Sequence, residues 1–140
     1  MKYLIFTTLI LLSFCTRSNE KDELSMNKSK WDRRNISSYE FTLRINCFCP
    51  RERTGPHLIK VINDEIVSVN NLPYDPDKTG ELYTIDQLFN FVEVSIDSNP
   101  YLKTIEFNPR YGYPQNVFFD FQKYMADEEI GYQVSDFRAI

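Results

Sequence analysis

The chain has 140 residues, a length that suits one domain better than two, and 42% hydrophobic with 15% aromatic content can close a core of that size. Its formal net charge is -4 and its pI about 5.0. A mildly acidic chain has no general pull toward nucleic acid, and that class of partner is set aside.

The N-terminus reads as an export signal. Lys2 gives a minimal positive start, and Tyr3 to Leu12 is an apolar run too short to anchor stably across a bilayer. Leu12-Ser13-Phe14-Cys15 resembles the lipobox of bacterial lipoproteins, with Phe14 where a small residue is usual. The expectation is a signal peptide over 1–14 and a lipidated Cys15 as the mature N-terminus; the alternative is a secreted chain cut between Phe14 and Asn19. Thr16 follows the cysteine where Asp would hold a lipoprotein at the inner membrane. The expected location is therefore the outer membrane of a Gram-negative envelope, in either leaflet.

Residues 15–28 are polar apart from Leu24 and Met26, and read as the lipidated cysteine and a flexible tether. The single folded domain is expected over 29–140. A short helix is expected over about 27–34, with Trp31 as its inward anchor. Tyr39, Phe41, Leu43 and Ile45 alternate with Glu40, Thr42, Arg44 and Asn46, the pattern of a half-buried strand. Leu58 to Val69 reads as a hairpin with Asn63-Asp64 at its tip, and residues 70–83 as loop. Thr84-Ile85-Asp86-Gln87 is a capping box, and Ile85, Leu88, Phe89, Val92 and Ile96 follow at helical spacing. Strand signals at Leu102–Asn108, Gln115–Phe121 and Ile130–Phe137 come next, the first two joined by the turn Tyr111-Gly112-Tyr113-Pro114. The expected fold is α+β, an antiparallel sheet with two helices in the order helix-βββ-helix-βββ, one sheet face helix-covered and the other partly wet.

Trp31, Tyr39-x-Phe41, Cys47-Phe48-Cys49, Thr84-Ile85-Asp86-x-Leu88-Phe89, Tyr111-Gly112-Tyr113-Pro114, Asp120 and Asp127-Glu128-Glu129 occur in that order. Together they resemble a domain of unknown function found in small bacterial lipoproteins, over roughly residues 31–137. The resemblance implies an envelope location and a small α+β fold, and it brings no activity. Its members tend to carry Asp-Asp-Glu where this chain has Asp127-Glu128-Glu129.

Several groups of residues can be weighed for chemistry. In an exported, lipidated chain Cys15 is consumed, which leaves Cys47 and Cys49 to each other. Residues two apart in a strand keep their β-carbons about 7 Å apart, against about 3.8 Å in a disulfide, so a bond between them requires a turn. A local disulfide, two free thiols, and metal or redox chemistry all fit the pair. The metal version would recruit His57 and suit a thiophilic ion such as Cu(I); the plain reading of His57 is a surface residue at the start of a strand.

Asp75, Asp77, Thr79, Glu81 and Asp86 follow the spacing of a calcium loop, with Gly80 at its bend. The plain alternative is an Asp/Pro/Gly turn whose Asp86 serves the helix dipole. Arg110, Tyr111, Tyr113 and Asp120 are candidates for a binding surface, since arginine and aromatics anchor interfaces and stack on sugars. Asp120 with Asp127-Glu128-Glu129 could do acid–base work in a hydrolase, or could merely pair with an arginine or cap a turn. No cofactor is expected, and no catalytic residue is assigned. The expectation is a non-catalytic binding or assembly accessory, joined to the membrane by lipid and to an envelope protein or glycan by its surface.

Overall fold

A computed structural model describes residues 12–125 and 127–140, with side chains from residue 19 onward. The expected signal peptide falls mostly, and the Cys15 side chain entirely, outside the described residues. The first strand follows its alternation. In β1 (Tyr39–Cys47), Tyr39, Phe41, Leu43 and Ile45 are buried, while Arg44 and Asn46 are exposed. Strands β2 (His57–Ile62) and β3 (Glu65–Val69) form the expected hairpin. Asn63 and Asp64 at its tip have φ of 51° and 67°, the left-handed pair that a two-residue turn between twisted strands needs.

A strand of two residues, β4 (Leu72–Pro73), extends the sheet beyond β3 through the pair Val69 and Leu72. Three further strands, β5 (Leu102–Phe107), β6 (Pro114–Asp120) and β7 (Glu129–Ala139), make the second half. The sheet has seven strands in the order β4-β3-β2-β1-β7-β6-β5, every pair antiparallel. Its centre is the seam where the first strand meets the last, from Tyr39 opposite Ala139 to Cys47 opposite Ile130.

The α+β class holds, but the expected element order holds only in part. Beside the added strand, two single-turn helices, α2 (Arg51–Thr54) and α3 (Pro76–Thr79), sit in what reads as loop. Proline favours such turns: Pro76 occupies the first helical position, and the Asp75 carboxylate accepts from Asp77 N. The main helix, α4 (Ile85–Asp97), starts as expected. Thr84 Oγ1 accepts from Gln87 N at 3.2 Å, and Gln87 Oε1 accepts from Thr84 N at 2.8 Å. The buried Tyr39 hydroxyl accepts from Ile85 N at 3.0 Å and so caps the same helix from the sheet.

The largest difference is α1 (Leu12–Asp32). The residues read as a tether are helical, and Leu24 is buried two turns ahead of Trp31 on one face. Lys21 pairs with Asp97 and Lys28 with Asp86, so α1 runs antiparallel to α4. Two apolar side chains are few for a helix, but they suffice once α4 and the sheet offer a surface to dock on. The chain then leaves α1 through Asn35, whose φ of 51° and N–H to Asp32 O make a left-handed cap.

Both long helices lie on one sheet face. There Trp31 meets Tyr39, Phe137 and Tyr113 edge-on, with ring centres 5.5, 5.6 and 6.2 Å apart. On the other face the side chains of Arg44, Asn46, Asn116, Gln133 and Ser135 are exposed. No described helix is long and apolar enough to cross a membrane.

Candidate functional site

Cys47 ends β1, and the chain turns at Phe48 so that Cys47 and Cys49 are bonded, with α-carbons 5.3 Å apart. Their sulfurs are thereby engaged with each other. Phe48 between them is 83% exposed, held outward by the closed turn. His57 does open β2, but it is buried rather than on the surface, because it shares the helix-facing side of that strand with Ile59 and Val61. Its Nε2 lies 3.0 Å from the Arg53 carbonyl and donates to it, while Nδ1 is buried without a partner among the described residues. Nearby, burial pushes the Tyr132 phenol above its ordinary value; the Tyr83 hydroxyl adds to this and the Arg53 guanidinium opposes it.

The residues with calcium-loop spacing do not converge. Asp75 is taken up by Lys78 at 3.0 Å and by Asp77 N, which hold its carboxyl below the usual carboxylate range. Thr79 Oγ1 donates to the carbonyls of Asp75 and Gly80. Asp86 sits on α4, where it accepts from Lys28 Nζ at 3.1 Å and Trp31 Nε1 at 3.4 Å. Glu81 is exposed between them. Among the described residues no group of three or more His, Cys, Asp or Glu is placed to hold a metal ion.

The aromatic turn candidates are divided by the fold. Tyr113 is buried against Trp31 and Phe137, and Tyr111 lies between the guanidinium groups of Arg34 and Arg110, 5.5 and 5.1 Å from its ring centre. Arg34 also donates to Arg110 O at 2.6 Å, and Lys30 to Pro109 O. A side chain at Gly112 would meet Asn27 O at 2.5 Å, so this turn is pressed against α1. Asp120 stands at the opposite end of β6. It is buried, accepts from Gln122 N at 3.0 Å, and pairs in register with Glu129 across the β6–β7 ladder. The geometry is that of a turn-closing aspartate.

What the fold does gather lies on the open sheet face. Arg44 and Asn46 from β1, Asn116 and Phe118 from β6, and Gln133 from β7 line a depression of about 390 Å³ around Gly131. The cross-strand pairs Arg44–Gln133, Asn46–Gly131, Asn116–Gln133 and Phe118–Gly131 fix the placement. A β-carbon at Gly131 would lie 3.1 Å from Val117 O and 3.4 Å from the Phe118 ring, so the floor of the depression is closely packed and admits no side chain there. Amide groups that both donate and accept, one guanidinium and one ring edge are suited to a polar ligand with an apolar side. Asn116 Nδ2 donates to Glu106 Oε2 at 3.2 Å, which sets its orientation.

The sequence matches a family of unknown function, DUF6174, over residues 23–139. The chain belongs to that family. No match is found among the curated proteins or among the solved structures. In this DUF6174 chain most of the residues that marked the resemblance build the fold. Trp31, Tyr39, Phe41, Ile85, Leu88, Phe89 and Tyr113 are core, and Thr84 caps α4. The match begins one residue before Leu24, in keeping with α1 being part of the DUF6174 domain. The polar group around Gly131 was not singled out from the sequence. Its one signal was the wet side of the β1 alternation, which names Arg44 and Asn46 but not the strands that stand beside them.

Proposed function

We propose that the chain is an exported envelope lipoprotein, held at the outer membrane through Cys15, that acts as a binding or assembly accessory without chemistry of its own. Its binding surface is the open sheet face, and the ligand is an envelope glycan or protein that presents polar groups to the depression around Gly131. One observation carries this reading: Arg44, Asn46, Asn116 and Gln133, from three strands, line one depression on the open sheet face. Arg44 is exposed, and none of the ion pairs among the described residues uses it. A cation of this kind beside amides favours ligands that bring carboxylate or hydroxyl oxygens.

The test is photo-crosslinking in whole envelopes, with the reactive group placed at Gln133 on the open face or at Val94 on the helix side. The expected outcome is an adduct from Gln133 that disappears when Arg44→Ala and Asn116→Ala are combined. Adducts from Val94 alone, or adducts from Gln133 indifferent to those substitutions, would overturn the assignment of the surface.

A further inference from the structure

The two ends of the sheet differ in what they expose. The ion pairs Glu20–Lys103 and Lys21–Asp97, at 2.8 and 2.5 Å, set the N-terminal half of α1 beside the end of α4 and the start of β5. The register adds the rest of that end: Leu102 lies opposite Asp120, Asp120 opposite Glu129, and Cys47 opposite Ile130. The Cys47–Cys49 turn and the loop after β6 therefore share one pole with the point where α1 enters.

Exposed apolar side chains gather there. Phe48 is 83% exposed, Tyr101 48%, Leu102 54%, Tyr124 90% and Met125 53%. Lys123 Nζ stands 5.6 Å from the Tyr101 ring centre and 5.5 Å from that of Tyr124, which draws those two rings together. The opposite pole, with the Asn63–Asp64 tip and Arg34, Arg110 and Arg138, exposes Ile140 beside these polar groups and no aromatic cluster among the described residues. Single exposed apolar residues are ordinary, but a cluster at one end of a small domain marks a contact surface.

The occupant follows from where the chain comes in. Helix α1 points its N-terminus out of this pole, and the five residues from Glu20 back to Cys15 carry it about 8 Å further. Cys15, the residue that the proposed function lipidates, lies within that stretch, so the acyl chains would enter a bilayer beside this pole. Tyrosine and phenylalanine with a lysine at their rim are the residues that settle at a bilayer interface, rings in the headgroup layer and charge toward water. Asp127 and Glu128 lie in the same loop, so attraction to anionic lipid is not the driving force. A contact of this size is weak by itself, but a tether at the same pole holds its local concentration high.

We propose that this pole is lipid-facing, with Phe48, Tyr101, Leu102, Tyr124 and Met125 seated in the interfacial layer of the bilayer that holds the N-terminal segment. The disulfide-closed turn then serves to present Phe48. The strands stand close to the bilayer normal, and the open sheet face looks sideways along the membrane surface. The inference shares membrane anchoring with the proposed function and is independent of the ligand at Gly131.

The test uses the mature chain lipidated at Cys15, in phosphatidylcholine vesicles with brominated acyl chains, which quench tryptophan on contact. Phe48→Trp and Tyr124→Trp report on the proposed pole, Ser37→Trp on the opposite one, and the buried Trp31 is a common background. The added tryptophan at Phe48 or Tyr124 should lose about half its emission or more, and the one at Ser37 almost none. A chain that floats with the vesicles while all three stay bright keeps its anchor but overturns the docked pole. Equal quenching at Ser37 overturns the orientation. A chain that stays in the soluble fraction removes the bilayer as occupant and the anchoring reading with it. Sedimentation as a dimer with unquenched tryptophans assigns the cluster to a second copy and overturns the lipid.

Discussion

Tyr39 shows how much one side chain can join. Its ring lies 5.5 Å from Trp31 of α1 and 5.5 Å from Phe137 of β7, and its hydroxyl caps α4. Burial, more than any neighbouring charge, pushes its phenol above the ordinary 10.0, because the phenolate would be left in an apolar core. A group whose folded value is raised contributes stability that is whole below pH 10.0 and is lost as the pH climbs through the folded value. Tyr39→Phe should cost about 1 kcal/mol at neutral pH through the lost hydrogen bond. The gap between variant and parent in urea unfolding should then narrow above pH 10.0; curves that stay parallel would refute the burial argument. The Cys47–Cys49 bond closes a very short loop, so chain entropy allows it only about 1–2 kcal/mol. Replacing both residues with serine should lower the melting midpoint modestly, and an unchanged midpoint would leave the bond to display Phe48 and nothing more.

At the scale of elements, the strands and α4 were legible because each carries its own periodicity. All five apolar residues named for α4 are buried, and the capping box forms as written. Helix α1 was legible only at Trp31, since the stretch before it is polar on nearly every side. Its docking depends on Leu24 reaching the α4 side chains and on ion pairs at Lys21 and Lys28, partners about 60 residues or more away in sequence. If residues 16–28 were a loose tether, Leu24→Ala would be silent. With Leu24 buried, the substitution should cost about 2–3 kcal/mol in chemical unfolding. His57 gives the reverse lesson. Its place at the start of β2 was readable, but the face it turns to was decided by pairing opposite Leu43.

For the whole molecule, the decisive arrangement is the β1–β7 seam. It joins the two halves of the sheet and thereby brings residues of the first and last strands onto one open face and one pole. The depression around Gly131 needs β1, β6 and β7 side by side, and the exposed pole needs the end of β1, the start of β5 and the loop after β6. The two surfaces lie at right angles, one along the strands and one across their ends. A bound bilayer therefore leaves the open face free for a second partner, and the crosslinking and quenching experiments read the two contacts separately.

The sequence by itself determined the α+β class, the alternating strands, the Asn63–Asp64 turn and the capped α4, because those follow from patterns within one short segment. It also placed Cys47 and Cys49 close enough to bond once a turn is granted. The tertiary structure alone decided that α1 is part of the fold, that His57, Tyr113 and Asp120 are buried, and that Asp75 and Asp86 are taken up by Lys78 and by α1. It alone brought Arg44, Asn46, Asn116 and Gln133 together. The physical reason is the same in each case: these outcomes rest on contacts between segments far apart in the chain, and sequence periodicity says which face a residue takes but not what stands opposite it.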